Sequence, residues 1–335
     1  MKNTIGIDIG TENVKIVCLE KRLQTYRLAA CGLFPYRGQK EKLKQFIEQA
    51  NLTSSDLRVN IDDASLRIRR LDLPHMESNE VPEAIKWGLK NFVDGDIESY
   101  AFRYIMIDEK DLKLRNRVPL IVYAIRNQAV LDRVEYLKEI GLPEPKIVEP
   151  DAAALAMIFE FCKGKGRDTN AVLINLGYNL SHFLMMGKAG LLFVRPLSGV
   201  SDNLLVSQIA RDLGLGPADA QEAKINYFND PQSIADDIAP RLKNTIAHFY
   251  SNMAIEIQRS IDGYSLIFGR HNIEEVNLTG GGAAYSELAQ YLEKNLALKV
   301  DLLNPFEKID VSGVQGECVE KNREIFAIAC GLAVD

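Results

Sequence analysis

Asp8 stands inside "TIGIDIGTEN", residues 4–13, where isoleucines alternate with glycines until the run breaks at Gly10-Thr11. Ile5, Ile7 and Ile9 share one strand face, and Gly6, Asp8 and Gly10 share the other. Glycine bends let backbone N–H groups approach an anion closely, and Thr11 adds a hydroxyl donor. Lys15, on the return strand, can neutralise phosphate charge. Asp8 can hold Mg²⁺ through its waters, because this ion keeps much of its hydration shell. Gly6 and Gly10 flank Asp8 and would leave room for a ligand on that face. An aspartate satisfied by turn amides is the other reading of the same residues, and this hairpin alone leaves both open.

The pattern returns half a chain later. "IDIG" at 7–10 is matched by "INLG" at 174–177, with Asn175 in the acid's place and Gly177 at the bend. A third candidate is "LTGGGAAYSEL" from Leu278, in which Gly280, Gly281 and Gly282 lie between a strand and a helix. Backbone amides at a helix start suit an anion or a nucleotide's sugar side, and a tight strand-to-helix turn suits the same residues. Tyr285 stands where the last glycine of a Rossmann fingerprint would fall, and no Walker A sequence occurs. Glu149, in "VEPDAAALA", lies between a strand end and an apolar helix. A carboxylate there can orient a water for phosphoryl transfer, or simply favour the positive end of a helix.

The elements that must position these residues follow from periodicity. Residues 4–20 read as a hairpin, followed by a strand at "YRLAACGLF" and a helix at "KEKLKQFIEQA". From 65 to 141 the texture is that of a small inserted unit. It has alternating "SLRIRRLDLP", a helix over "NEVPEAIKWGLKNFV" opened by Asn79 and Pro82, two more strands, and a helix closed by Gly141. Trp87 on the first helix reads as a packing residue. A strand meander starts at Ala171, helices fill about 201–272, and strand "EVNLT" leads to two final helices. Residues 1–168 thus form a first lobe and 169–335 a second.

Composition narrows the function classes. The 335 residues are 47% hydrophobic and 26% charged with a net charge of −6, which argues against a broad nucleic-acid surface. The five cysteines form no zinc spacing and read as reduced, buried thiols. His75, His182, His248 and His271 pair with no nucleophile and read as surface or packing residues. The amino terminus lacks the apolar core of a signal peptide, and no window reaches membrane-span length.

Taken in order, these segments resemble the actin-like ATPase superfamily across nearly the whole chain. "IGIDIGTENVKIV" is similar to its first phosphate loop, "VLINLGYNLSHF" to its second, and "VEPDAAALA" to its first connecting helix. "NLTGGGAAYSELAQYL" is similar to its adenosine segment, and "REIFAIACGLAV" to its closing helix. Within the superfamily the chain resembles the PilM family of type IV pilus assembly, related to FtsA. The shared features include the small insertion, "LDLPHMESNEVPEAIKWGLKNFV" and "GVSDNLLVSQIARDLGLGPADAQEAK".

The resemblance implies an α/β, actin-like (ribonuclease H-like) two-lobed fold with an inserted α+β subdomain and with ATP or ADP held in the cleft. Asp8 would be the magnesium-side acid, with Gly10, Thr11, Asn13 and Lys15 binding phosphate, and Asn175 and Gly177 forming the second loop. Glu149 would position water, Lys224 would touch base or ribose, and Gly280, Gly281 and Gly282 would wrap the adenosine side. Asn175 replaces a usual acid, and Gln221 replaces the acid that commonly receives the ribose hydroxyls, so one metal-side ligand and one charge-assisted hydrogen bond are missing.

The implied function is a cytoplasmic scaffold, at most a slow ATPase, reaching the inner membrane through partners. It would bind the amino-terminal peptide of a PilN-like membrane protein near the insertion and couple it to motor and platform components, with self-association open. A nucleotide-free adaptor of the type II secretion kind is an alternative, which ATP retention would discriminate. A sugar-kinase-like phosphotransferase is another, which turnover of a sugar acceptor would discriminate.

Overall fold

The computed structural model describes residues 3–334 apart from 24, 39, 53–55, 108–116, 270–271, 286, 315 and 322, so His271 lies outside the described residues. The chain divides into two compact units. One holds residues 1–168, 184–194 and 305–335, and the other holds 169–183 and 195–304.

In the first unit β1 (Asn3–Ile9) and β2 (Asn13–Lys21) form an antiparallel hairpin with Asp8 opposite Lys15. β3 (Tyr26–Pro35) continues the meander and α1 (Lys40–Gln49) follows it. β4 (Asp56–Ile61) returns parallel to β1. The insertion then supplies β5 (Arg67–Pro74), α2 (Val81–Leu89), β6 (Tyr100–Met106) and β7 (Arg117–Arg126), whose sheet runs β5-β7-β6. α3 (Asn127–Glu139), β8 (Ile147–Pro150) and α4 (Asp151–Lys163) complete this run.

The second stretch opens with β9 (Asn170–Asn175), β10 (Ser181–Gly187) and β11 (Gly190–Leu197). Helices α5 (Asp202–Leu213), α6 (Pro217–Asn229) and the 30-residue α7 (Ala239–Phe268) follow. β12 (Ile273–Thr279), α8 (Leu288–Leu296) and β13 (Lys299–Leu302) close it. The five-stranded sheet has the order β11-β10-β9-β12-β13. The chain ends with β14 (Ile309–Asp310), α9 (Glu317–Glu320) and α10 (Ala327–Ala333); β14 joins the other large sheet, β14-β3-β2-β1-β4-β8. No helix among the described residues is long and apolar enough to cross a membrane.

The isoleucine face of β1 is the core face. Ile5, Ile7 and Ile9 pack with Leu43 and Ile47 of α1 and with Leu137 and Ile140 beyond it. Each such side chain, fully buried, contributes about 1.5–3 kcal/mol. The opposite face of β1 meets α10 backbone to backbone. A Cβ at Gly6 would overlap the Ala329 carbonyl oxygen, and one at Gly331 would overlap that of Ala154 on α4. Gly6 therefore serves helix packing, which corrects the expectation that it clears space for a ligand. Arg58 fixes the helix end from below, donating to the Leu332 and Val334 carbonyls at 3.3 and 3.1 Å.

The insertion has its own core, with Val81, Ile85 and Leu89 of α2 against Leu120, Val122 and Ala124 of β7. Those helical positions recur every four residues, so Trp87 falls on the far side. It is 70% exposed, with the Lys90 ammonium 5.5 Å above its ring. The expectation that it packs in the core is thus corrected. All five cysteines are free thiols; Cys18, Cys162 and Cys330 are buried, and Cys31 and Cys318 are half-buried.

Candidate functional site

The first constellation lies at the carboxyl ends of β1, β4 and β8, where a sheet's loops gather. Asp8 is 3% exposed, a burial that a carboxylate tolerates only when paired. One of its oxygens lies 3.0 Å from the Lys15 ammonium, and the other accepts from the Asn60 amide at 3.0 Å. The hairpin register creates the first contact, since Asp8 and Lys15 are direct cross-strand partners. Gly10 makes space for it, because a Cβ there would sit 3.0 Å from Lys15 Nζ. The Gly10 N–H donates to the Asn13 carbonyl at 3.0 Å and closes the bend, leaving Thr11 exposed at its tip.

Asn60 of β4 joins polar groups of β1 to one at the start of α4. Its amide nitrogen also donates to Asp151 at 2.8 Å, and its oxygen accepts from the Ile9 N–H at 2.7 Å. Three of its four hydrogen-bonding positions are therefore used inside the protein. Asp62 lies close by. Burial pushes its carboxyl up to about 6, the Asp63 and Asp8 charges add to this, and Arg133 opposes it. Arg133 of α3 also donates to the Ile9 carbonyl at 3.3 Å. Glu149 is the register neighbour of Asn60 on β8, so the two share a sheet face. Its carboxylate accepts from Arg103 of β6 at 2.8 Å. Burial raises the Glu149 pKa, and the Arg103 and Arg58 charges hold it down.

The second constellation, in the other unit, is built on the bend after β9. The Gly177 N–H donates to the Ser181 hydroxyl at 3.2 Å, and its carbonyl accepts from the Asp202 N–H at 3.1 Å. Gly280, with φ +87, lets the strand turn hard against this bend; a Cβ there would crowd the Asn175 side-chain oxygen and the Leu176 carbonyl. Gly282 donates to that same carbonyl at 3.2 Å, whereas a Cβ on Gly281 would meet open space. Asn175, Gly177, Gly280, Gly281 and Gly282 are thus brought together.

Helix α6 carries the other two expected residues. Lys224 is 5% exposed, and its ammonium lies 2.6 Å from both oxygens of Asp202 in the first turn of α5. The Tyr285 hydroxyl donates to the same carboxylate, and the Tyr285 ring stacks on Phe228 at 4.2 Å. Gln221 has a buried side-chain oxygen with no hydrogen-bond partner among the described residues. Buried acceptors are rarely left so, because the desolvation is uncompensated.

Asn60, Asp62, Asp151, Asp202 and Tyr285 were not among the expected site residues. Only Asp202 had a local signal, following the helix-capping Ser201, whose hydroxyl accepts from the Leu204 N–H at 3.2 Å. The others are joined by tertiary pairing alone.

A family described as type IV pilus assembly protein PilM matches residues 6–335 of the chain. Among solved structures, a PilM-PilN type IV pilus biogenesis complex superposes with a TM-score of 0.82 at 21% identity, covering 98% of this chain and 97% of that one. The ethanolamine utilization protein EutJ from Carboxydothermus hydrogenoformans superposes with a TM-score of 0.52 at 11% identity, covering 99% and 89%. At these identities the likeness is one of fold, and it agrees with the α/β, actin-like fold that the family resemblance implies.

Proposed function

We propose, for a chain that belongs to the PilM family of type IV pilus assembly proteins, that it is an assembly scaffold which binds the amino-terminal segment of a PilN-like membrane protein and couples it to the pilus motor. The observation that carries this is the family match from residue 6 to 335, supported by the likeness along almost the full length to a PilM solved with PilN. The inserted subdomain is the proposed docking region. A cytoplasmic location, peripheral to the membrane through partners, goes with this role.

Nucleotide binding is the second part of the proposal. The residues suit a nucleotide in one concrete respect: the Gln221 oxygen is a buried acceptor that a ribose hydroxyl would satisfy. Within the first unit Lys15 and the Gly10-Thr11 bend are the proposed phosphate binders, and within the second a Cβ on Gly281 would meet open space, so its backbone can be approached closely. Magnesium is suited less well. Among the described residues no group of three or more His, Cys, Asp or Glu could hold a metal, so Asp8 would act through coordinated water. Bound ATP would supply the phosphoryl group and its charge; the chain's own part is to neutralise that charge with Lys15 and to hold a water through Glu149.

A nucleotide-free adaptor is the second reading, and a specific observation favours it. Both cations expected to meet a nucleotide are already compensated within the protein, Lys15 by Asp8 at 3.0 Å and Lys224 by Asp202 at 2.6 Å. Calorimetric titration with a PilN-like amino-terminal peptide, with and without ATP and Mg²⁺, separates the readings. Peptide heat in both conditions together with ATP heat supports the full proposal. Peptide heat alone supports the adaptor, and no peptide heat refutes the scaffold.

A further inference from the structure

Glu149 is met by one face of the inserted sheet. Arg103 of β6 and Tyr123 of β7 are register partners on neighbouring strands, so their side chains leave the same face. Arg103 donates to Glu149 at 2.8 Å, with its own side chain 55% exposed and that of Glu149 17% exposed. The Tyr123 hydroxyl is buried and has no hydrogen-bond partner among the described residues. Burial, and after it the Glu149 charge, pushes the tyrosine's pKa up. A largely buried carboxylate thus accepts a hydrogen bond from a cation of a different subdomain, beside an unsatisfied hydroxyl of that same subdomain, with the Arg58 charge also acting on it.

We propose that Arg103 is a latch that occupies Glu149, so that the position of the inserted sheet decides whether this carboxylate can take a water. The inference rests on the nucleotide reading above, and Arg103 in it is a positioning residue. With the latch closed, Glu149 Oε1 is held by the guanidinium. With the latch open, Glu149 accepts a proton from water while the water oxygen bonds to the terminal phosphorus, the phosphorus–oxygen bond to ADP breaks, and the proton passes on to solvent. A segment bound to the insertion would then act on hydrolysis by moving β6, with no contact to the nucleotide. Both partners of the latch lie in the first unit, so it needs no change elsewhere in the chain.

The test uses the full chain and Arg103→Ala, with Arg103→Lys as a conservative control and two readouts. In the protein without nucleotide, the Glu149 carboxyl is followed by carboxyl-carbon NMR against pH. Losing the guanidinium should raise its pKa, and Arg103→Lys should restore most of the wild-type value. With ATP and Mg²⁺, Arg103→Ala should retain ATP as the wild type does. It should turn ATP over about tenfold faster, the scale on which one partly exposed charged hydrogen bond competes for a carboxylate. An unchanged Glu149 titration overturns the latch. So does equal or slower turnover by a variant that retains ATP, and the nucleotide reading then stands. Failure of wild type and variant alike to retain ATP overturns the nucleotide reading and the latch with it.

Discussion

Replacing Asn60 by alanine should strongly destabilise the first unit. Three hydrogen bonds disappear, to Asp8 at 3.0 Å, to Asp151 at 2.8 Å and from the Ile9 N–H at 2.7 Å. Two of them involve carboxylates, each worth about 1.5–3 kcal/mol, and the third about 0.5–1.5 kcal/mol, so the simple sum is about 3.5–7.5 kcal/mol. Asp8 keeps Lys15 at 3.0 Å. Water entering the vacated space would satisfy part of the rest, which brings the expected loss to about 3–5 kcal/mol. Asn60→Asp sharpens the test, because it sets a third carboxylate against Asp8 and Asp151. The new group would hold its proton more tightly in the folded than in the unfolded state, so its cost should grow as pH rises from 5 to 8. Urea unfolding followed by circular dichroism at several pH values measures both variants. A loss below about 1 kcal/mol for Asn60→Ala, or a pH-independent loss for Asn60→Asp, would refute the network's role.

Three further outcomes are expected. Lys15→Ala should abolish any ATP-dependent thermal shift, and an unchanged shift would show that the hairpin does not bind phosphate. Asn175→Asp should strengthen the dependence of ATP retention on Mg²⁺, read by titrating the metal at fixed nucleotide; no change would remove the reason for linking Asn175 to weak metal binding. Asp62→Asn should stabilise the protein at pH 7 and lose that advantage on acidification. The Asp62 pKa stands at about 6 against an ordinary 3.8, so wild-type stability is fullest below 3.8 and falls as pH rises through 6. Chemical unfolding at pH 4 and pH 7 reads it, and an equal difference at both would contradict the assignment.

The fold was legible because its signals are local. Alternation in "TIGIDIGTEN" fixes which face of β1 is apolar, and the hairpin register then puts Lys15 opposite Asp8 without help from the rest of the chain. The bends at Gly10, Gly177 and Gly280–Gly282 are likewise properties of short segments. Asn60 shows where this ends. In "LRVNID" the alternation reads as a strand with one polar face, yet Asn60 is 1% exposed, because β1 and the start of α4 close over it. Gly6 is ambiguous in sequence for a similar reason: a missing side chain can serve a ligand or a helix, and only the position of α10 decides. The pairs Arg103–Glu149 and Lys224–Asp202 are 46 and 22 residues apart in sequence, and periodicity has no means of joining them. Trp87 could have been assigned from α2 itself, since Val81, Ile85 and Leu89 already define the buried stripe.

Hydrogen–deuterium exchange of the full chain, with and without a PilN-like amino-terminal peptide, tests the scaffold role most directly. Peptide-dependent protection is expected within residues 65–141, including β6, with unchanged exchange along α7. Saturating peptide that leaves the insertion's exchange untouched, or that protects α7 instead, would contradict that role.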